Sequence, residues 1–208
     1  MDVSPGKGFT VVETTETDRA EEPGEVWTAI WSRFPIRRLG VTSDPARAAV
    51  AFVEPPGRRP IIVYGTVLPW IGSAWRKVPA SKGAAFAAAL EAQTRDWARL
   101  QSDHSECDLV VAGDLNQDLS EPHYYGSNAN RAALNVALGL AKLTCLSRGE
   151  DDPVRLKGAR EHSTIDHLCT SASLTAQAQW PRFSWPPGPV PDKSLTDHFG
   201  TGADFNCA

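Results

Sequence analysis

One long amphipathic segment, residues 82–102, lies between groups of short apolar stretches. Its large apolar residues, Phe86, Leu90, Trp97 and Leu100, stand among alanines and charged residues. This pattern predicts a helix with one apolar face. Such a face is stable only when it is buried, so we expect the helix to pack against a sheet.

The apolar stretches on both sides of this helix have the composition of β-strands. A second helix is predicted over residues 128–143, with Asn128 as a plausible N-cap. The Pro-Gly connection at 55–60 predicts that the strands around it form an antiparallel hairpin. Strands and helices are therefore mixed in an α/β pattern. Predicted strands cover 26–36, 47–56, 60–69 and 108–114, then 143–149, 163–174 and a final strand around 196–205, with a polar loop at 149–162 and a proline-rich irregular loop at 180–195.

Length and charge limit the class of protein. With 208 residues, 41% hydrophobic and 22% charged, the chain can bury a substantial core. We expect a polar N-terminal segment over residues 1–25 and one domain over 26–208. The net charge of -4 argues against a protein that coats nucleic acid nonspecifically, although a local basic patch could still contact a phosphate backbone.

The cysteines indicate a reducing compartment. Cys107, Cys145, Cys169 and Cys207 are far apart, and no Cys-x-x-Cys pair suggests zinc or redox chemistry. No apolar run reaches the roughly 18 to 20 residues that cross a bilayer, and the N-terminus lacks the apolar core of a signal peptide. We therefore expect a cytoplasmic protein without membrane insertion.

The predicted strand 108–114 ends in Gly113, Asp114, Leu115 and Asn116. Because strand side chains alternate between faces, Asp114 and Asn116 should project to the same side and could grip one ligand together. The alternative is a turn, since Gly, Asp and Asn also end strands by bonding to their own backbone.

Polar side chains of the same kind stand at two further strand ends. Asp166 lies near the start of the predicted strand 163–174, and Asp197 with His198 lies near the start of the last. Each Asp-His pair alone is better explained by a surface turn or a satisfied hydrogen bond than by a catalytic dyad. Together with Asp114 and Asn116, they predict one shared crevice, which metal-assisted hydrolysis of a phosphate ester requires.

These motifs resemble the endonuclease/exonuclease/phosphatase superfamily, which includes magnesium-dependent nucleases, inositol-polyphosphate phosphatases and sphingomyelinases. Its marks, an apolar strand ending in Gly-Asp-x-Asn, an Ile-Asp strand and a Ser/Thr-Asp-His, read here as "VVAGDLNQDL", "STIDHLC" and "LTDHFG". The earlier "AIWSRFPI" and "IIVYGTVLP" are similar to the family's preceding strands, so the resemblance covers about residues 26–200. It implies a four-layer α/β sandwich of two packed mixed sheets flanked by helices, with the active site at one edge.

Two departures from the family pattern concern its binding residues. Members normally begin with a strand, a helix and a strand that ends in a metal-binding glutamate, and neither Glu13 nor Glu16 stands in such a context. Many relatives also have His or Tyr where this chain has Val67. The resemblance therefore leaves two interpretations, a domain that is N-terminally incomplete in this sequence or a degenerate member.

The resemblance assigns a role to each motif residue. Asp114 would orient or deprotonate the attacking water, and Asn116 would fix that water or a phosphate oxygen. His198 would donate to the phosphoryl oxygen while Asp166 holds its other ring nitrogen. Asp197 would bind Mg²⁺ or Mn²⁺ directly or through water.

Other residues are weaker candidates. His123, Tyr124 and Tyr125 follow the Asp-x-Asn turn and could line the substrate cleft, although such a loop also commonly packs on its own domain. His167 should face away from Asp166 and be structural.

Two functions remain open. The first is a metal-dependent phosphoesterase that hydrolyses a phosphodiester or phosphomonoester, with nucleic acid among the candidate substrates. The second is a weakened or inactive member that acts as a binding module. The five motif residues favour the enzyme, and the missing glutamate favours the binding module. The sequence does not indicate an oligomeric state.

Overall fold

The computed structural model describes residues 7–17, 25–156, 162–185, 189–190, 193–194 and 198–206. It has the mixed α/β architecture that the sequence predicts. The described strands are β1 (Thr10–Glu13), β2 (Ala29–Ser32), β3 (Ile36–Arg38), β4 (Ala48–Val53), β5 (Ile61–Val67), β6 (Asp108–Asp114), β7 (Leu143–Cys145), β8 (Asp166–Ser171), β9 (Phe183–Trp185), β10 (Pro189–Val190), β11 (Lys193–Ser194) and β12 (Gly200–Gly202).

Two long helices accompany these strands. The second begins after Ser127, whose hydroxyl accepts a hydrogen bond from the Asn130 amide at 3.1 Å. Ser127 is therefore the N-cap, and the prediction of Asn128 was wrong by one residue. Among the described residues, no helix combines the length and apolar character needed to span a bilayer. The helices are α1 (Ala84–Asp103), α2 (Asn128–Leu140), α3 (Pro153–Leu156) and α4 (Ala172–Thr175), with short 3₁₀ turns at Ser81–Gly83 and Gly149–Asp151.

Six strands form one mixed sheet in the order β3-β4-β5-β6-β8-β7. β4 and β5 pair antiparallel, which confirms the predicted hairpin. β5 and β6 run parallel, and α1 makes the crossover between them. β8 then pairs antiparallel with β6. The carboxyl ends of β5 and β6 therefore meet the start of β8 at the same edge of the sheet.

One face of this sheet packs against α1 and α2. β4 contributes Val50 and Phe52 to that face, and α1 contributes Phe86 and Trp97. The Trp97 ring packs edge-on against Tyr64 of β5, with ring centroids 6.2 Å apart. The apolar stripe predicted for residues 82–102 is thus the helical side of the main core.

The opposite face of the sheet is covered by the two-stranded sheet of β1 and β2. Alternate residues of β4, Ala49 and Ala51, pack there with Val12 and Ile30. The described layers therefore follow each other as helices, main sheet and small sheet, in keeping with the predicted sandwich.

Two segments differ from their predicted form. The stretch 26–36, predicted as one strand, is divided between β2, which pairs with β1, and β3, which pairs with β4. The division occurs where the Phe34 amide donates to the Ser32 hydroxyl at 3.0 Å, just before Pro35, which has no amide hydrogen to give. The predicted irregular loop 180–195 also contains β9, which pairs with β12.

The N-terminal 25 residues contribute to the domain through β1. Val12 is buried, and Glu13 pairs in register with Ala29. The division of the chain at residue 25 stays a prediction, with β1 lying on the N-terminal side of it.

Gly65 of β5 permits the close approach of β2. A Cβ atom at this position would lie 2.7 Å from Thr28 Cγ2 and 3.2 Å from Ile30 Cγ1. We expect Gly65→Val to lower the free energy of unfolding by about 1–3 kcal/mol, because the added methyl groups overpack this contact. Urea denaturation measures the change.

Gly139→Ala is the matched control, since a Cβ atom there meets nothing within 4 Å. Because alanine favours a helix over glycine, this variant should be as stable as the parent or more so. Equal stability of Gly65→Val and the parent would contradict the packing described here.

Candidate active site

The site lies at the edge of the main sheet where three strand ends meet. Val67 at the end of β5 pairs in register with Asp114 at the end of β6, and Asp114 pairs with Asp166 at the start of β8. Directly paired residues project to the same face of a sheet. The register therefore brings the two predicted carboxylates together.

The backbone around Asp114 is fixed by its neighbours. Gly113 has φ of 134°, and a Cβ atom at this position would collide with the Thr66 carbonyl of β5. Only glycine avoids both problems, which explains the residue before Asp114. Asn116 adopts φ of 50°, a left-handed conformation that asparagine tolerates better than most residues.

Asn116 holds the Asp114 carboxylate in place. Asp114 Oδ1 accepts a hydrogen bond from the backbone amide of Asn116 at 2.9 Å, and Oδ2 accepts one from the side-chain Nδ2 of Asn116 at 2.7 Å. Nδ2 also donates to the Leu68 carbonyl at 2.8 Å. Both side-chain hydrogens of Asn116 are thus used within the protein, so this geometry suits Asn116 to positioning Asp114. The strand end is both the turn and the polar site that the sequence left as alternatives.

Asp166 and His198 form a close pair. His198 Nδ1 lies 2.7 Å from Asp166 Oδ2. Because an ionised carboxylate only accepts, the imidazole donates through Nδ1, and Nε2 is the ring nitrogen on the side away from Asp166. Such a pair orients the imidazole ring.

The electrostatics of Asp114 are unusual for a carboxylic acid. Burial, and then the negative charge of Asp166, raise the pKa of Asp114 to about 7. Hydrogen bonds from Asn116 and the charge of His198 oppose this shift. Asp114 therefore exchanges its proton near neutral pH, as a general base must.

These groups open into a cleft of about 910 Å³. Tyr124 and Tyr125 line it, and the Tyr124 ring contacts the His162 ring edge-on, with centroids 5.1 Å apart. His123, predicted with them, is not among the residues that line the cleft, and its imidazole Nε2 is buried.

Several residues that line the cleft were not predicted from the sequence. Trp27, Trp70 and Phe199 also line it, as does His162. Trp27 is the second residue of the predicted strand 26–36, and Trp70 directly follows the predicted strand 60–69, so tryptophan at a strand end was the available signal. Nothing in the sequence indicated that both would face the cleft of Asp114.

Buried polar contacts hold the loop that follows β6. Asp118 accepts from the backbone amides of Ser120 and Tyr124, each at 2.7 Å. Asp152 accepts from the Ser120 hydroxyl at 2.9 Å and from the Thr164 amide at 3.0 Å. The loop that carries the two tyrosines is therefore tied to the segment that precedes Asp166.

His167 is buried on the opposite side of β8 from Asp166, as predicted for a structural residue. Its Nε2 donates to the Gln117 carbonyl at 2.8 Å, and its Nδ1 lies 3.0 Å from the Ser147 hydroxyl. Through its bond to the Gln117 carbonyl, His167 holds the loop that follows Asn116.

A set of possible metal ligands exists at the site. Asp114, Asp166 and His198 each offer one ligand atom, and these atoms lie within 4.8 Å of one another. Asp197, predicted as the metal ligand, lies outside the described residues. The assignment of a metal ligand to Asp197 stays a prediction.

No protein-family model and no curated protein matches this sequence. Solved structures do match its fold. An AP endonuclease from Archaeoglobus fulgidus superposes with a TM-score of 0.64 at 20% identity over 96% of this chain and 80% of that protein. The endonuclease domain of TRAS1, a telomere-specific non-LTR retrotransposon, gives 0.61 at 13% identity over 97% and 82%.

A third similar structure is the 3' phosphatase NExo from Neisseria bound to a product DNA hairpin. It gives a TM-score of 0.59 at 18% identity, over 96% of this chain and 80% of that protein. The chain therefore has the endonuclease/exonuclease/phosphatase fold, in agreement with the resemblance of its motifs.

The effect of the Asp166 charge on the pKa of Asp114 can be tested by substitution. In Asp166→Asn, the pKa of Asp114 should fall below about 7, since the Asp166 charge raises it more than the His198 charge lowers it. The measurement is an NMR titration of the carboxyl carbons with divalent metal chelated.

Glu91→Gln is the control variant, because this exposed carboxylate pairs with Arg95 on α1. It removes the same charge and should leave the pKa of Asp114 unchanged. An Asp114 pKa that stayed the same or rose in Asp166→Asn would refute the coupling of the two acids.

Proposed function

We propose that this chain is a phosphoesterase that hydrolyses a phosphodiester or phosphomonoester by direct attack of water. The observation that carries the proposal is the convergence of two polar pairs, Asp114 with Asn116 and Asp166 with His198, in one cleft. Hydrolysis of a phosphate ester needs a base near the water and a donor for the developing charge. The two pairs are suited to these two tasks.

Asp114 would take the proton of the attacking water. Its pKa of about 7 lets it be ionised in much of the population at neutral pH while it remains basic enough to accept a proton. Asn116 holds both carboxylate oxygens, so the side chain of Asp114 is oriented before the substrate arrives.

His198 would stabilise the phosphoryl oxygen as its negative charge grows. Asp166 would hold the His198 ring through Nδ1 and so orient the imidazole for donation toward the substrate. A preorganised donor of this type is worth most at the transition state, where the charge is largest.

The donor set is compatible with Mg²⁺ or Mn²⁺. Mg²⁺ prefers oxygen ligands and commonly uses one or two protein carboxylates together with waters and substrate phosphate. Asp114 and Asp166 are the cleft carboxylates within the described ranges, and Asp197 would add a further one. A bound divalent cation would supply charge neutralisation at the phosphoryl group.

Nucleic acid is a candidate substrate. Among proteins of this fold, NExo is described bound to product DNA and D. rerio TDP2 complexed with single strand DNA product, the latter with a TM-score of 0.58 and 13% identity.

We also propose a cytoplasmic location. Cys107, Cys145 and Cys169 are free thiols, as a reducing compartment would keep them.

A non-catalytic binding module is the second candidate. It is favoured by the small number of metal ligands, since the family's metal-binding glutamate has no counterpart among the described cleft residues. In that case the cleft would bind a phosphate-containing ligand without turning it over.

The catalytic proposal predicts metal-dependent turnover of simple esters. Bis(p-nitrophenyl) phosphate or p-nitrophenyl phosphate should be hydrolysed with Mg²⁺ or Mn²⁺, and chelation should abolish the rate. His198→Ala and Asp114→Asn should each reduce kcat/KM by about 100-fold or more, because each removes one positioned group. Release of p-nitrophenolate measures the rate.

His104→Ala is the control, since His104 follows α1 and does not line the cleft. It should hydrolyse at the parent rate. Circular dichroism verifies that each variant is folded. Binding of phosphate esters by the folded parent without any turnover would replace the enzyme with the binding module.

A further inference from the structure

Two tryptophans form one wall of the cleft. Trp27, just before β2, and Trp70, just after β5, both line it, and their ring centroids are 6.2 Å apart at an interplanar angle of 51°. At this angle the two indoles do not stack face to face. We call this pair the indole wall.

The indole wall is supported from the protein side by Arg47. This arginine is only 3% exposed, and its guanidinium lies 4.7 Å from the Trp27 ring centroid and 5.9 Å from that of Trp70. A cation over an indole face is attracted by the electrons of the ring. Trp70 lines the cleft and is 41% exposed despite this contact.

Backbone contacts join the indole wall to the site of Asp114. The Arg47 carbonyl accepts from the Thr28 hydroxyl at 2.8 Å and from the Val67 amide at 3.1 Å. The Leu68 amide donates to the Asp114 carbonyl at 2.9 Å. The two indoles are therefore held at a fixed place relative to the acid, and a group stacked on them would be positioned for the reaction.

The cleft has room for more than a phosphate group. A volume of about 910 Å³ is in the range of sites for whole organic ligands. Val67, at the end of β5, also lines the cleft. Its side chain is apolar and offers no donor to a phosphate oxygen. This side of the cleft is thus suited to a flat, weakly polar group.

We propose that Trp27 and Trp70 form a stacking subsite for the nucleobase of the phosphate ester. The inference rests on the proposed function for the phosphate end of the ligand. A nucleobase matches an indole in shape, and stacking of a base on an aromatic side chain is tolerant of base identity. The subsite would therefore select nucleotide esters over sugar or lipid phosphates without reading a sequence.

The test uses a ligand that cannot be turned over. The probe is the methylene phosphonate analogue of deoxyadenosine 5′-phosphate, whose carbon–phosphorus bond resists hydrolysis, and it is compared with the same phosphonate lacking the base. Binding to the full chain in Mg²⁺ buffer is measured by isothermal titration calorimetry. Phenylphosphonate, with a single small ring, is the third ligand.

Trp70→Ala should weaken binding of the base-bearing phosphonate by about 10-fold, because it removes an aromatic face, and Trp70→Phe should retain most of the affinity. The base-free phosphonate should bind each variant equally well. Trp31→Ala is the matched control, since Trp31 lies on β2 with similar exposure and does not line the cleft.

Three results would overturn the inference. They are no detectable binding of the base-bearing probe, equal binding of the two phosphonates by the parent, and an equal loss for both in Trp70→Ala. Binding of phenylphosphonate as tight as that of the base-bearing probe would overturn the assignment to a nucleobase.

The outcome of this binding experiment does not depend on whether the protein hydrolyses an ester. Trp70-dependent binding of the base without ester hydrolysis would support the subsite while rejecting the phosphoesterase proposal. Ester hydrolysis with no dependence of binding on Trp70 would do the reverse.

Discussion

The pairing of β6 with β8 places Asp114 opposite Asp166, and the rest of the site depends on this register. Strand side chains alternate between faces, so a shift of one residue would turn one carboxylate to the other side of the sheet. With the register as it is, His167 faces the protein interior and Asp166 faces the cleft. Of these two neighbouring residues of β8, His167 packs in the interior and Asp166 belongs to the candidate site.

The same register carries a cost in stability. Burial of Asp114 and, second to it, the negative charge of the neighbouring Asp166 disfavour the ionised carboxylate, and both raise the pKa of Asp114. Hydrogen bonds from Asn116 and the charge of His198 offset part of this cost.

The cleft has two differently built walls around this acidic edge. The loop after β6 supplies Tyr124 and Tyr125 and is held by buried contacts of Asp118 and Asp152. Trp27 and Trp70, supported by Arg47, also line the cleft. Aromatic side chains from two separate parts of the chain therefore contribute to the same cleft.

Local patterns in the sequence determined the helix over residues 82–102, the β4–β5 hairpin and the polar residues Asp114, Asn116, Asp166 and His198. These features follow from periodicity, turn chemistry and short motifs, which act over a few neighbouring residues. Boundaries were less certain. Ser127 rather than Asn128 caps α2, because the choice depends on which side chain reaches the Asn130 amide.

Only the tertiary structure decided which distant residues share the cleft. Trp27 and Trp70 meet because the Arg47 carbonyl joins β2 to the end of β5, and the absence of a side chain at Gly65 lets β2 lie close to the sheet. The pKa of Asp114 likewise depends on burial and on Asp166, which is far away in the chain. Sequence motifs identify such groups by type, but long-range packing fixes their distances and environment, and these determine the chemistry.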